Sequence, residues 1–581
     1  MFTSERNNQI VIALLKQHGI RRVVASPGAT NVSFVASIQN DDFFEIYSSV
    51  DERSAAYIAC GMAQESGEAV VLSCTGATAS RNYLSGLTEA YYRKLPILAI
   101  TSSMPLARIG HNIPQVIDRT NTINDCVRLS VNVPIVKDDE DEWNCQVKAN
   151  EAMLELFHNG GGPVHINLET RQSGTFDVSE LKPVRKIDRY KPNADFPELK
   201  AGRIAIMVGA HSKWSDELTA AVDSFCEHYN ACVITDQTSN YKGKYGVLAN
   251  LVTFQKSYAA RCKRADLIIH LGNISGGYIF LQSNEVWRVN PDGRVCDTYQ
   301  VLTKVFEMEE IEFFEKYNSL SAKTSNVDYH EQWRQEYDYI FNAIPELPMS
   351  NIYIAKRLSR RLPENSVLHL GILNSLRSWN FFELPLSINV YANTGGFGID
   401  GCVSSLMGAA LVEPQRLYFG VVGDLAFFYD MNVLGNRHLP SNLRLLIVNN
   451  GHGQEFCNSA HRAAQFKEKT NEFIAAGGHF GNKSESLIKN YASSLGIVYL
   501  SANDKDSFES ACDAFVQAEN IGAPIVLEVF TDAQNEDEAL TKMCNLIVDN
   551  SANHINKGKA MARKILGDST VEALKSFLGK G

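Results

Sequence analysis

Two oxygen-bearing side chains close two apolar runs late in the chain: Asp424 in Val421-Val-Gly-Asp-Leu-Ala-Phe-Phe-Tyr-Asp430, and Asn450 in Leu446-Ile-Val-Asn-Asn-Gly-His452. If both runs are parallel strands, these side chains meet at the carboxyl edge of the sheet, where open α/β sheets bind ligands. A carboxylate and an amide oxygen are hard ligands of the kind magnesium takes, and that ion commonly completes its octahedron with ligand phosphates. Asp424, Asn450 and the backbone carbonyl of His452 are therefore the candidate metal set, with room left for a diphosphate. Gly423 lets the backbone come close, and a helix expected to start near Phe428 would turn its amide end to the anion. Gly-Asp and Asn-Asn are also ordinary turn residues at strand ends, so the segment alone leaves both readings open.

A second carboxylate opens a predicted helix after a strand: Glu52, in Ser49-Val-Asp-Glu-Arg-Ser-Ala-Ala-Tyr57. Its neighbours Ala55, Ala56 and Ile58 suit a carboxyl group kept protonated by apolar surroundings. An acid favoured by the helix dipole is the plainer alternative.

The elements that must hold these groups are short apolar strands separated by amphipathic stretches. In the first third, runs at Arg22 to Ala25, Val70 to Ser73, Pro96 to Thr101 and Val164 to Leu168 alternate with helical patterns such as Ser54 to Glu65 and Asn82 to Tyr92. That alternation predicts parallel sheets with helices on both faces. The stretch from Ser179 to Ala201, interrupted by Pro183, Pro192 and Pro197, reads as a linker. A second α/β pattern follows at Arg203 to Gly209, Ala231 to Asp236 and Ala265 to Gly272. A third has a helix from Asn351 to about Arg361 and strands at Ser366 to Leu370, Ile388 to Ala392, Leu417 to Val422, Leu443 to Asn449 and Ile525 to Phe530. The expected organisation is an α/β fold of three domains, 1–180, 200–335 and 350–534, with a C-terminal helical tail over 535–581.

The 581 residues are too many for one core, and 45% hydrophobic with 21% charged residues is ordinary globular composition. A formal charge of -11 argues against nucleic-acid binding, which needs clustered Lys and Arg. The twelve cysteines lack zinc-ligand spacing and read as reduced core residues. No signal-peptide pattern and no run long enough to span a membrane are seen, so a cytoplasmic protein with no membrane partner is expected.

Gly423-Asp424 followed by the second Asn of Asn449-Asn450 resembles the diphosphate and metal motif of the thiamine-diphosphate enzymes, although Leu425 stands where that family commonly has Gly. Glu52 resembles the family's activating glutamate, whose role is a hydrogen bond to the pyrimidine ring of the coenzyme. Ser26-Pro27-Gly28, Thr75-Gly76 through Asn82, and Asn393-Thr-Gly-Gly-Phe-Gly-Ile-Asp-Gly401 resemble its coenzyme loops, with Ile399 beneath the bent coenzyme. The resemblance runs from about Asn8 to Asp532. It implies pyrimidine-binding, central and diphosphate-binding domains, with thiamine diphosphate and Mg2+ as cofactors and no FAD. The coenzyme contacts it implies are Pro27, Gly28, Glu52, Thr75, Asn82, Gly396, Phe397, Ile399, Gly423, Asp424, Leu425, Asn450, Gly453 and Gln454. It also implies a homodimer or homotetramer whose active sites are shared between subunits.

Within the family, Asp51-Glu52-Arg53, Asn374-Ser375-Leu376, Gly398 to Gly401, Gly423-Asp424-Leu425 and Asn450-Gly-His-Gly-Gln454 with Phe456 look most like the menaquinone-pathway synthases, which join a succinyl unit from 2-oxoglutarate to isochorismate. Thr30 and Thr394 stand where those synthases have substrate-binding arginines, and Glu455 stands at an apolar position. Loss of a bidentate guanidinium is not a small change. The function expected on this basis is decarboxylation of a small 2-oxo acid, with transfer of the acyl carbanion equivalent to an aldehyde, a ketone or a proton. Glu52, His111, Gln115 and Glu455 are the catalytic candidates, and Asn112 is a further polar group of the same segment. The alternatives are the menaquinone-pathway reaction itself and a non-catalytic coenzyme-binding subunit.

Overall fold

The computed structural model describes residues 1–119, 122–200, 202–320, 328–480 and 483–548. It is an α/β structure of three parallel sheets flanked by helices. Two compact units are formed, one from Met1–Phe196 with Val286–Glu307, the other from Pro197–Glu285 with the described part of Met308–Gly581.

The first sheet lies wholly in the first unit, in the order Glu45–Ser48, Arg22–Ala25, Val70–Thr75, Ile97–Ser103, Val164–Glu169, Leu129–Val133. Its central strands are mostly apolar and buried along nearly their whole length because both faces are covered, with Ser73, Thr101, His165 and Asn167 as buried polar exceptions. Val23, Val71, Leu98 and Ile166 point into one core, while their neighbours Val24, Val70, Leu72 and Ala99 point into the other. Helix Glu52–Ser66 is capped by Asp51, whose carboxylate accepts from Arg53 N at 3.0 Å, and it ends at Gly67 with φ +68°. It packs on helix Leu84–Arg93 at Gly86, where any Cβ would fall onto Ala56. Ala55 and Ala56 thus serve helix packing.

The last sheet, in the second unit, runs Asn389–Tyr391, Val367–Leu370, Tyr418–Gly423, Leu443–Asn449, Ile525–Phe530, Val498–Ala502. Ranked by chain order, its strands repeat the second-first-third-fourth-sixth-fifth sequence of the first sheet. In each sheet the order reverses between the first and third strands, which opens a crevice at their carboxyl ends. The middle strands form two parallel runs: Gly246–Leu248, Ala231–Thr235, Ile204–Val208 and Leu267–Leu271 in the second unit, and Val286–Val289, Leu302–Phe306 and Asp188–Tyr190 in the first.

Several expectations need correction. The stretch read as a linker contains Asp188–Tyr190, which pairs in parallel with Lys304–Phe306. The helix expected near Phe428 begins at Asp424 and ends at Asp430, because the strand passes directly into it at Gly423. Of the C-terminal tail, helix Ala533–Cys544 includes its first residues, and 549–581 lie outside the described residues. No described helix is long and apolar enough to cross a membrane.

Candidate active site

The crevice of the last sheet brings Asp424 and Asn450 together. Strand Tyr418–Gly423 pairs with Leu443–Asn449 so that Gly423 lies opposite Val448, which carries Asn450 and Gly451 past Asp424. Asp424 is 5% exposed, and burial pushes its carboxyl up to about 7, against the pull of the backbone N–H groups of Leu425, Asp424 itself, Gly451 and Asn450. No cationic side chain pairs with it among the described residues. The Oδ1 of Asn450 is buried and has no hydrogen-bond partner there. Asn449 differs, since its Nδ2 donates to Glu528 Oε1 at 2.7 Å. A buried carboxylate beside an orphaned amide oxygen is costly unless something satisfies both, and a hard cation does so. The residues present therefore fit a magnesium ion.

The same cleft is lined by Ile372, Asn374, Ser375, Ile399, Leu425, Gly453, Gln454, Glu455 and Phe456. Ile399 is thus placed with Asp424 and Asn450, as the resemblance implies. Leu373 and Phe397, on loops at this site, hold φ of +63° and +52°, conformations a non-glycine residue adopts at a cost and keeps where the surroundings enforce them. The ring of His452 is engaged with Gln454 Oε1 at 2.8 Å, and Gln454 Nε2 donates to Asn458 Oδ1 at 3.0 Å.

Glu455 faces the cleft but is not a free base. Arg377 Nη1 donates to its Oε1 at 3.2 Å and Nη2 to its Oε2, while Nη2 also donates to Asn374 Oδ1 at 2.7 Å. Arg377 escaped the reading of the sequence, although it directly follows the Asn374-Ser375-Leu376 motif. Thr394 is buried at 5%.

In the first unit, the loops after the first and third strands meet. A Cβ on Gly28 would lie 2.6 Å from Thr75 Cβ, so only glycine allows the Ser26-Pro27-Gly28 turn to sit there. Thr30 Oγ1 donates to Ser102 O at 2.6 Å, accepts from Gly76 N at 3.3 Å and is paired with Thr75 Oγ1. Thr30 is therefore part of the crevice wall. Asn82 ends helix Ala77–Asn82 on the exposed side. Glu52 is the first helical residue and is half-exposed, with Val50, Tyr57 and Ile58 81%, 48% and 42% exposed nearby. His111, Asn112 and Gln115 lie on an irregular exposed segment, Asn112 and Gln115 at φ +54° and +64°. Glu52 and Asp424 belong to different units.

Comparison with known proteins identifies the family. Residues 6–122 match the model of the thiamine pyrophosphate enzyme N-terminal TPP binding domain, a span that holds Gly28, Glu52, Thr75 and Asn82. A 2-succinyl-5-enolpyruvyl-6-hydroxy-3-cyclohexene-1-carboxylate synthase of Bacteroides fragilis is 32% identical over 566 residues, 93% of this chain and 99% of the relative. Proteins of the same name from Phocaeicola vulgatus and Desulfotalea psychrophila are 31% and 28% identical, over 93% and 90% of this chain and 98% and 97% of theirs. These matches overturn the expectation of a general 2-oxo acid decarboxylase or carboligase. Near-full-length likeness to proteins named for one synthase outweighs Thr30, Thr394 and Glu455, because single positions do not report where else in a pocket a cation stands.

Proposed function

The chain belongs to the thiamine pyrophosphate enzyme family that includes the 2-succinyl-5-enolpyruvyl-6-hydroxy-3-cyclohexene-1-carboxylate synthases, and from this premise we propose that it joins a succinyl unit, taken from 2-oxoglutarate with loss of carbon dioxide, to isochorismate. The likeness over more than nine-tenths of the chain carries this reading.

In this proposal Asp424, Asn450 and the carbonyl of His452 would hold Mg2+, and the Gly423 backbone would leave room for a diphosphate. When bound, thiamine diphosphate supplies the nucleophilic carbon and the electron sink that decarboxylation of a 2-oxo acid requires. Glu52 hydrogen-bonds the pyrimidine ring and so controls where a ring proton sits. Ile399, which lines the same cleft, would give the coenzyme an apolar support. Glu455, engaged by Arg377, orients that guanidinium toward the cleft, where it is available to a substrate carboxylate. His111 and Gln115 contribute polar groups to the bound substrate from the segment after strand Ile97–Ser103.

The apolar side chains exposed beside Glu52 suit burial against a second copy, and we assign the protein as a homodimer or homotetramer that works in the cytoplasm. The test is product analysis with 2-oxoglutarate, isochorismate, thiamine diphosphate and Mg2+. The succinyl adduct is expected in the wild type and absent from Glu52→Gln. Carbon dioxide release without adduct would overturn the acceptor, and no release would overturn the reaction.

A further inference from the structure

Beside strand Ile97–Ser103 lies a cavity of about 30 Å³ whose lining includes Arg81, Thr101, Arg119, Thr122 and His165. That volume has room for about two water-sized atoms, at roughly 10–15 Å³ for each, which matches the two oxygens of a carboxylate. Two of the lining side chains are guanidinium groups and none is an acid.

Arg119 is 4% exposed. Its Nη1 donates to Thr101 Oγ1 and its Nη2 to Asn167 Oδ1, both neutral acceptors, and no described carboxylate pairs with it. Burial lowers its pKa to about 10, and neighbouring Arg81 pushes the same way. His165 offers no negative charge: its ring nitrogens are engaged by Thr101 Oγ1 at 2.7 Å and Ser130 Oγ at 2.8 Å, and burial holds its pKa at about 3. A desolvated cation beside a second cation, met only by neutral oxygens, is an arrangement that an anion relieves. Arg444 is also buried without a carboxylate, yet three backbone carbonyls surround it, those of Ser441, Leu443 and Glu519. That is a structural anchor, whereas Arg119 borders a cavity.

Its position ties it to the coenzyme loop. A Cβ on Gly76 would stand 3.5 Å from Cζ and Nη2 of Arg119, so the guanidinium adjoins the loop whose Thr75 holds Thr30. Arg81 is on the exposed side, with Nη2 donating to Asp118 O at 2.8 Å.

We propose that Arg119 and Arg81 form a binding site for one carboxylate group of a substrate, with Arg119 as the floor and Arg81 as the entrance. The planar fork of a guanidinium receives a carboxylate by two parallel hydrogen bonds. Only the identity of the carboxylate-bearing molecule rests on the proposed reaction, whose donor and acceptor both carry such groups.

The test is calorimetric titration with succinate, an unreactive dicarboxylate, into wild type, Arg119→Met, Arg119→Lys and Arg81→Met, with the melting temperature of each protein measured unliganded. Wild type binds succinate. R119M binds it at least about 10-fold more weakly, because a hydrogen-bonded charge partner is lost. R119K, with charge but no fork, falls between. The unliganded R119M melts at or above wild type, since an apolar side chain of similar volume replaces an uncompensated buried charge. R81M, exposed and so without consequence for folding, weakens binding in the same direction. Equal affinity in wild type and both Met variants, or no succinate binding by wild type, overturns the site. Succinate binding that follows this pattern in a protein that forms no adduct would overturn the proposed reaction and leave the site standing.

Discussion

Asn449 and Asn450 are adjacent in sequence and opposite in consequence. The Asn449 amide is spent on Glu528, a buried carboxylate that also accepts from Tyr499 Oη at 2.7 Å. Asn449→Ala should therefore destabilise the protein by about 1–3 kcal/mol, the usual cost of stranding a buried polar partner. Asn450→Ala removes an oxygen that has no partner, so the metal-free protein should melt at the wild-type temperature while magnesium-dependent coenzyme binding collapses. Thermal melting of the metal-free variants, with calorimetry of coenzyme binding, checks both. The motif was legible through its resemblance to a known family's diphosphate and metal motif, since Gly-Asp and Asn-Asn at strand ends are by themselves ordinary turn residues. Arg377 and Arg119 were not legible, since a lone arginine carries no spacing. The Glu455 that engages Arg377 and the Gly76 beside Arg119 are far away in sequence and meet only once the sheets form.

At the scale of elements, the central strands could be read directly because burial on both faces favours predominantly apolar runs, even where a buried Arg444 or Glu528 interrupts them. Leu443–Asn449 and Ile525–Phe530 were placed to the residue. Leu129–Val133 and Val498–Ala502 escaped because they are edge strands, partly exposed and polar at Ser130, Asn132 and Ser501. The contact of helices Glu52–Ser66 and Leu84–Arg93 makes a sharper demand. Gly86→Ala places a methyl on Ala56, and overpacking of this kind costs about 1–3 kcal/mol. Because the displaced helix opens with Glu52, turnover should fall as well, and Ala56→Gly on the same chain should restore part of both, as read by melting and rate.

Glu536, on helix Ala533–Cys544, sets a pH dependence in the second unit. It accepts from Asn351 N at 3.0 Å and Thr531 Oγ1 at 2.8 Å, yet full burial pushes its pKa up to about 7. The folded value lies above the unfolded one of 4.5, so the unfolded chain ionises first. Stability is therefore lost as pH rises from about 4.5 through about 7, by up to about 3 kcal/mol. Glu536→Gln should flatten that slope, measured as the denaturation midpoint between pH 5 and pH 8.

For the whole molecule, the repeated strand order of the outer sheets supplies two crevices of one design, one beside Glu52 and one holding Asp424. The proposed function draws one group from each, and the apolar side chains left uncovered beside Glu52 are the reason we propose an oligomer. Ile58→Asp, at a position already 42% exposed, should leave each chain folded but shift sedimentation to the monomer and abolish turnover. Unchanged sedimentation would remove that patch from the interface.

Asp424 is proposed to belong to a metal site that carries thiamine diphosphate. The most direct test is calorimetric titration of thiamine diphosphate into metal-stripped protein, with and without Mg2+, on wild type and on Asp424→Ala. Binding by wild type only when Mg2+ is present, and none by the variant, is the expected result. Binding that ignores Mg2+, or that survives in Asp424→Ala, would contradict it.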